Sequence, residues 1–599
     1  MKGLDKLALN QSTIRLSNTE GVTVLSDWVS VNAKHSMFML NVRLELLNTP
    51  PANDIPEHST WAIVVDFDTD LWGKVQIYPA LDSGAITSTY PHQQYNGGPH
   101  DFLPVRNGNI CTLSSIHGLS CSRNALRTEP KYTIERIIWH VERAVEWLKN
   151  AASNTLACIG DNFELPDFDI PKLSQSRILA YQESRESYAI WKNLVGHAGL
   201  ASISTLNRTI IVRKYLSKNG TRTCYEPQWG SYMANLKERK AIWVCLDKIP
   251  TINHWQVPST SQELILAARA QNIDLPTIIK GALEHLEDYS ECLVLVGMPI
   301  SNKVGDTAFR YHWQAFSLPA ATKIRSPKIR AQLAVSHLMS HTPTPLRWFV
   351  NSENWHPDDL QNRGQLNRSL RESNVVLIGC GALGSAISEL LVRMGVKKTT
   401  IVDKELLDSG NVVRHTLTLN QINNLKALEL AARLNSINPT ATVEGLSLAL
   451  PSKDRKFLDA VKDASLIIDC SADDGVMSEL PFSGLQPDVK IVSCSIGLHA
   501  NRLFFYADNA VSFKEDEFNS WFHPFREEEH KLAKKEELPR GVGCWHPLTP
   551  AKFNRIMGLA GVVIELIEQV VAEDIAIPVA ICHEWQFPQL NLERKTKVA

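Results

Sequence analysis

No stretch of this sequence is both long and apolar enough to cross a bilayer. The longest apolar run, Leu559–Val571, is broken by Glu565 and Glu568 and is shorter than the roughly 20 residues that about 30 Å of hydrocarbon demands. The opening MKGLDKLALNQSTIRL lacks a continuous apolar segment and a small-residue cleavage site. No signal peptide is therefore expected, the mature chain is read as beginning here, and the cytoplasm is the expected compartment. An excess of charge is missing too. Against 62 Lys and Arg stand 64 Asp and Glu, a net charge of -2, which gives no basic field for direct nucleic-acid binding or for an anionic membrane. The 11 cysteines are odd in number, scattered and nowhere spaced Cys-x-x-Cys. That argues against a disulfide framework and a ribbon-type zinc site, and leaves single thiols as nucleophiles. Repeats and low-complexity tracts are also absent.

What remains is 599 residues, 44% of them hydrophobic, enough for three or four packed units. From about 35 to 80, MFMLNVRLELL, WAIVVDF and GKVQIYPAL alternate apolar and polar positions between Asn/Pro/Asp-rich turns, which predicts an antiparallel meander. A Gly/Pro/His-rich loop then leads to Asn109-Ile110-Cys111, and YTIERIIWHVERAVEWLKNAA carries apolar residues at helical spacing. Cys111 should thus lie between a sheet and a long helix. Beyond FELPDFDIP, strand-like runs (TIIVRKYL, AIWVCL, CLVLVGMPI) mix with a helical one (SQELILAARAQNI), which reads as a middle α/β or α+β domain of unassigned role. His337 and His341 share one helical face, with His356 farther on. The Pro-rich HTPTP ends any helix there and no Glu follows His337, so they are read as surface or core residues.

The most informative stretch is Val375-Val-Leu-Ile-Gly-Cys-Gly-Ala-Leu-Gly-Ser385, then AISELLVRMGV and TTIVDKE. A buried strand, a Gly379-x-Gly381-x-x-Gly384 turn, an apolar helix and a second strand ending at Asp403 make a βαβ unit. The first glycine allows the tight turn, the second lets a phosphate reach backbone N–H groups, and the third allows close helix–sheet packing. Asp403 is placed for a ribose. Arg414, with Asn411 before it and Lys426 on the next helix, supplies the cations that a triphosphate needs as pyrophosphate leaves. Hydride transfer needs no such clamp, so adenylyl transfer is favoured over a nicotinamide enzyme. A strand, LIIDCSADD, ends in acids; Asp473, Asp469 or neither would hold magnesium against the phosphates. Cys380 and Cys470 read as small core residues. A Lys/Glu-rich segment, FREEEHKLAKKEELPRG, reads as a solvated loop before Val542-Gly-Cys544-Trp-His-Pro547. Cys544, flanked by Gly543, Trp545 and His546 near a helix start, suits an exposed thiolate that attacks an acyl adenylate.

GCGALGS, IVDKELLDSGNVVRHTL, NNLKALELAARLNSINP and LIIDCSADD resemble the ThiF-type adenylation domain of ubiquitin-activating and sulfur-carrier-activating enzymes, over roughly residues 360 to 599. The resemblance implies ATP and magnesium, adenylation of a partner's C-terminal carboxylate, and a thioester on a loop cysteine. Gly379, Gly381 and Gly384 would then line the phosphates, Asp403 would bind the ribose, and Asn411, Arg414 and Lys426 would contact the triphosphate. The family's second Asn is Val413 here, and its usual Gln is His415. Residues 20 to 168, with Gly-Asn-Ile-Cys111-Thr-Leu, resemble a ubiquitin-conjugating domain whose cysteine accepts the activated chain. The family's His-Pro-Asn is replaced by HDFL, which leaves His100 a weak candidate for the oxyanion donor.

The whole is similar to the fused activating and conjugating enzymes of bacterial anti-phage cyclic-oligonucleotide (CBASS) operons. That similarity implies a synthase's C-terminus as acyl substrate, an amine-bearing target, and a homodimer. The expected architecture is α/β and α+β multidomain. It comprises a ubiquitin-conjugating-like α+β domain (1–168), an α/β linker domain (169–355) and a Rossmann-like adenylation domain with its cysteine loop (356–599). Sulfur-carrier adenylylation, an NAD-dependent oxidoreductase and a non-catalytic scaffold are the alternatives.

Overall fold

The computed structural model describes residues 6–47, 54–68, 73–82, 84–113, 129–286, 292–318, 327–339, 343–362, 364–480, 485–536, 550–586 and 591–598. The chain divides into two compact units, Met1–Pro227 with Lys237–His356, and Gln228–Leu236 with Pro357–Ala599. The first unit holds two separate sheets. Helix α1 (Lys6–Leu16) precedes strands β1 (Val22–Val24), β2 (Val29–Ser30), β3 (His35–Arg43), β4 (His58–Asp66) and β5 (Lys74–Pro79). Strands β3, β4 and β5 form the expected antiparallel meander, with β1 and β2 paired to β3. Helix α2 (Thr133–Ala152) buries Ile137, Val141, Ala144 and Leu148 in the same core as Phe38, Leu40, Ile63 and Ile77 of the sheet. Its apolar residues recur at three and four positions, so one face is sheet-facing throughout.

The second sheet departs from the α/β expectation. It comprises β6 (Gln175–Tyr181), β7 (Ala198–Leu206), β8 (Thr209–Leu216), β9 (Thr223–Tyr225), β10 (Glu238–Cys245), β11 (Cys292–Ile300), β12 (Arg310–Leu318) and β13 (Arg347–Asn354), with helix α3 (Arg185–Lys192) after β6. Strand β6 pairs in parallel with both β13 and β8, so seven strands close into a ring in the order β6-β13-β12-β11-β10-β7-β8. Four of the seven neighbouring pairs are antiparallel; the turn Asn207-Arg208 joins β7 to β8, and Asn207 adopts φ +55°, as a two-residue hairpin requires. Alternate residues face two cores. Leu179, Ile203, Val212, Trp243, Leu295 and Trp313 share one with Trp191 of α3. Leu200, Val244, Val296, Phe316 and Trp348 share the other with helices α4 (Ser261–Arg269) and α5 (Leu275–Leu283). Burial on both faces explains why these strands read as unbroken apolar runs.

The second unit contains β14 (Asn374–Ile378), α6 (Ala382–Arg393), β15 (Lys398–Val402), α7 (Lys426–Asn435), β16 (Thr442–Leu446), β17 (Leu466–Asp469), β18 (Lys490–Ile496), β19 (Arg502–Asn509), α8 (Glu515–Lys535), α9 (Phe553–Val571), β20 (Val579–Gln586) and β21 (Asn591–Val598). Its sheet runs β16-β15-β14-β17-β18-β19-β20-β21, parallel as far as β18 and antiparallel beyond. The strand order reverses between β14 and β17, the place where ligands bind in sheets of this kind. Residues 525–535 of the charged segment expected as a loop instead form the C-terminal part of α8; residues 537–541 lie outside the described residues. Phe518 and Trp521 of that helix are buried, and Glu528 and Glu529 reach Arg502 at 2.8 and 3.5 Å. Long-chain Glu and Lys are good helix formers, and an aromatic stripe gives this helix a core to pack on.

Candidate functional site

After β14 the chain makes a tight glycine turn into the start of α6. Gly379 adopts φ +88°, and a methyl group on it would meet the Ser471 backbone at 2.6 Å. Its N–H donates to the Val402 carbonyl at 2.8 Å. A methyl on Gly384 would meet the Gly379 carbonyl oxygen at 2.0 Å, whereas one on Gly381 would meet nothing within 4 Å. Gly381 caps α6, so this open space lies at a helix N-terminus, where free N–H groups and the helix dipole suit a phosphate. The residues present therefore fit a nucleotide.

Asp403 stands at the end of β15. Its Oδ2 accepts from the Cys380 N–H at 2.7 Å and its Oδ1 from the Glu405 N–H at 2.8 Å, so the acid fastens the glycine turn. Each carboxylate oxygen keeps a second lone pair for a ribose hydroxyl. Lys426 begins α7 with its side chain 5% exposed, and its Nζ donates to Glu405 Oε2 at 2.6 Å. Two further ammonium protons remain for other acceptors. His415 is drawn into the same cluster. Its Nδ1 accepts from the Leu417 N–H at 3.0 Å, which leaves Nε2 to donate to the Cys380 carbonyl at 2.6 Å. Burial lowers its pKa. Asn411 and Arg414 share the turn Ser409–Arg414, and the Asn411 side-chain oxygen accepts from the Asp408 N–H at 3.2 Å.

Asp469 and Asp473 line one cavity of about 460 Å³ with Ser493, Arg526 and Glu529. Asp469 is buried, which raises its pKa, and it accepts from the Ser471 N–H and hydroxyl and the Ser493 hydroxyl. Asp473 is exposed and accepts from the Gly475 N–H. Its oxygens are the less committed of the two. Cys380 and Cys470 are buried, and Cys470 Sγ lies 3.4 Å from Cys494 Sγ. Cys544 lies outside the described residues, as do His341 and the side chain of His337.

Cys111 is exposed, while the other described cysteines are buried or half-buried. The chain returns along β5, where the Ile110 N–H donates to the Ile77 carbonyl and Asn109 Oδ1 accepts from the Ile77 N–H at 2.8 Å. The Cys111 N–H then donates to the His92 carbonyl at 2.8 Å. The thiol opens on a cavity of about 730 Å³. Helix α2 presents Arg136, His140 and Arg143 to the residue after the cysteine and to Glu129. His140 Nε2 donates to Glu129 Oε1 at 2.9 Å and its Nδ1 accepts from the Thr112 hydroxyl at 2.5 Å; Arg143 Nε donates to the Thr112 carbonyl. The Arg136 guanidinium, followed by His140, holds the Glu129 carboxyl below its ordinary range, and burial keeps the His140 ring neutral. Buried Arg143 is close enough to feel a charge on Cys111. His100 lines a separate cavity with Tyr78 and Asp101, and its Nδ1 accepts from the Phe102 N–H. Sequence reasoning missed His92, Glu129, His140, Arg143 and Glu164. The three basic residues of α2, spaced four and three apart, were the one available signal.

A family model described as the Cap2 central linker domain matches residues 154–355, and the ThiF family model matches residues 355–478. The ATP-dependent ubiquitin transferase-like protein Cap2 of Enterobacter hormaechei subsp. hoffmannii (strain UCI 50) is 29% identical over 542 residues, 88% of each chain. The sulfur carrier protein ThiS adenylyltransferase of Bacillus subtilis (strain 168) is 35% identical over 107 residues, 17% of this chain and 31% of that protein. Ubiquitin-like modifier-activating enzyme 5 of Bombyx mori is 30% identical over 111 residues, 18% and 28% of the two chains. The latter two similarities each cover less than a fifth of this chain, whereas the first covers 88% of it. The chain is a Cap2-like, ATP-dependent ubiquitin transferase-like enzyme, with a Cap2 linker domain and a C-terminal ThiF adenylation domain.

Proposed function

We propose that this enzyme activates the C-terminal carboxylate of a partner protein, a cyclic-oligonucleotide synthase, and joins it to an amine on a target, so priming anti-phage signalling. The observation that carries the reading is Cys111. It is the exposed thiol among the described cysteines, set at a cavity lined by ionisable side chains, in a chain that also holds an open phosphate cradle.

In the first step the partner carboxylate attacks the α-phosphorus of ATP and pyrophosphate leaves, giving an acyl adenylate. The N–H groups at Gly381 receive phosphate oxygens and Asp403 the ribose. Lys426, with Asn411 and Arg414 on the preceding turn, offsets the charge that develops. Asp473 would hold magnesium, which supplies charge neutralisation on the phosphates. One carboxylate suffices, because that ion keeps waters and phosphate oxygens as its remaining ligands. The Cys544 thiolate then displaces AMP. Exchange moves the acyl group to Cys111 within a ubiquitin-conjugating-like N-terminal domain (1–168), and the linker (169–355) joins it to the adenylation domain (356–599), which acts as a homodimer. Covalent relay splits a difficult amide synthesis into easier steps.

The test is capture. Cys111→Ser, expressed in its host, should retain the partner as an ester on the new hydroxyl, joined through the partner's C-terminus and visible by mass spectrometry. A chain that binds nicotinamide dinucleotide, not ATP, and carries no adduct would overturn the reading. The similarity to a ThiS adenylyltransferase favours a second reading, sulfur-carrier activation, for which a persulfide on Cys544 would be the signature.

A further inference from the structure

The Cys111 cavity contains a pair of side chains that the relay leaves unused. His92 Nδ1 lies 2.5 Å from Glu164 Oε2, with the His92 side chain 19% exposed. Both line the cavity with Cys111. A carboxylate only accepts, so Nδ1 carries the proton and the Nε2 lone pair is left for another donor. His92 is also held where few residues go. Its φ is +61°, a left-handed conformation that is uncommon for a side-chain-bearing residue and is retained where its surroundings enforce it. Its carbonyl is the acceptor for the Cys111 N–H, so the backbone that strains His92 is the backbone that places the thiol.

We infer that His92, oriented by Glu164, is the proton acceptor for the amine that attacks the Cys111 thioester, and that the cavity is the site where this amine docks. The inference rests on the conjugation reading above. A lysine side chain is protonated below roughly pH 10.4, so the attacking nitrogen must shed protons at neutral pH. As the nitrogen attacks the thioester carbon, the C–N bond forms, the C–S bond breaks, the electron pair leaves on Cys111 sulfur, and one amine proton passes to His92 Nε2. His92 then returns that proton to solvent or to the thiolate. The second wall belongs to the linker. His312 and Gln314 of β12 and Asn351 and Ser352 of β13 line the same cavity, and Glu164 itself lies within the matched linker region. The linker thus helps to build the acceptor site as well as spacing two domains.

The test needs neither ATP nor the natural partner. The full chain is charged on Cys111 by exchange with a small probe, the mercaptoethanesulfonate thioester of N-acetylglycine, with Cys111→Ala as background and peptide mapping to locate the acyl group. Discharge is then timed with free lysine and with hydroxylamine, whose nitrogen is already unprotonated at neutral pH. His92→Gln should slow discharge to lysine by about 100-fold, the contribution of a positioned base, and discharge to hydroxylamine far less. Imidazole should restore His92→Ala. Glu164→Gln should slow lysine discharge by about tenfold, with Glu164→Asp recovering part of it. Wild-type lysine rates in His92→Gln, or equal slowing with both nucleophiles, would overturn the role of His92 alone. Failure of the wild-type chain to take up the acyl group at Cys111 would overturn the conjugation reading beneath it.

Discussion

The nucleotide cradle and the Cys111 cavity are built from different material. The cradle is backbone: an N–H row at a helix start, shaped by three glycines and pinned by Asp403, all within residues 379–403. The cavity is side chains from distant points of the chain: His92, Glu129, His140 and Glu164, with His312 and Gln314 from the linker. Backbone sites depend on what is absent at Cβ, so steric changes should break them. Side-chain sites depend on protonation and hydrogen-bond pairing, so pH and isosteric changes should. The largest effect is expected at Gly384. A side chain there collides with the Gly379 carbonyl, which belongs to a strand end that cannot yield. Gly384→Val should lose about 3 kcal/mol of stability, as overpacking does, and should abolish ATP binding. Urea unfolding and calorimetric titration measure the two. Intact ATP binding would mean that helix and strand are not coupled at this point.

Acid should act on the cavity next. Burial pushes the His312 pKa down to about 4 from 6.5. Below 6.5 the unfolded chain takes up a proton that the folded ring refuses, so the stability due to neutral His312 is complete above 6.5 and is lost as pH falls toward 4. The loss is up to about 3 kcal/mol. His140 acts in the same direction on the other wall. The cradle has one such ring, His415, while in the first unit burial also pushes the Glu183 carboxyl up to about 8, which adds stability as pH falls from 8 toward 4.5, so the effect of His312 is read as the difference between variant and parent. His312→Gln should flatten the first unit's profile between pH 4 and 6.5, and an unchanged profile would remove His312 as its source. A smaller change tests the clamp beside the thiol. Thr112→Val keeps shape but leaves His140 Nδ1 without its donor, which should cost about 1–2 kcal/mol. If stability is unchanged, the Thr112 hydroxyl is not what holds this turn.

The same contrast explains what could be read from the amino acids. Gly379-x-Gly381-x-x-Gly384 and Asp403 were legible because strand, turn and helix follow one another in the chain. The β3–β5 meander and α2 were legible by period alone. The closed ring of the linker was not, since it depends on β6 pairing with two strands far apart in sequence, Leu179 with both Ile210 and Ser352. An apolar run buried on both faces also looks the same in a parallel sheet and in a closed one. The His–Glu pairs were hidden for a related reason: His92 and Glu164 are 72 positions apart (164 - 92 = 72), and no local pattern joins them. The helical part of the charged segment, residues 525–535, was misread because its charges were weighed and the preceding Phe518, Trp521 and Phe522 stripe, which packs the same helix, was not.

The smallest change in structure gives the sharpest comparison. Gly381 has φ -71° and an extended ψ, which any residue adopts, and its Cβ direction is open. Gly381→Ala should therefore leave stability within about 1 kcal/mol of the parent, the gain from a stiffer unfolded chain offsetting a poorer helix cap. Yet the added methyl group fills the space where the phosphate meets the helix N-terminus, so ATP affinity should fall by at least about tenfold through lost N–H contacts. Gly384→Val would then lose binding through the fold, and Gly381→Ala would lose it with the fold intact. If Gly381→Ala binds ATP as the parent does, the phosphates lie elsewhere than on this turn, and the three glycines serve only to pack α6 against β14.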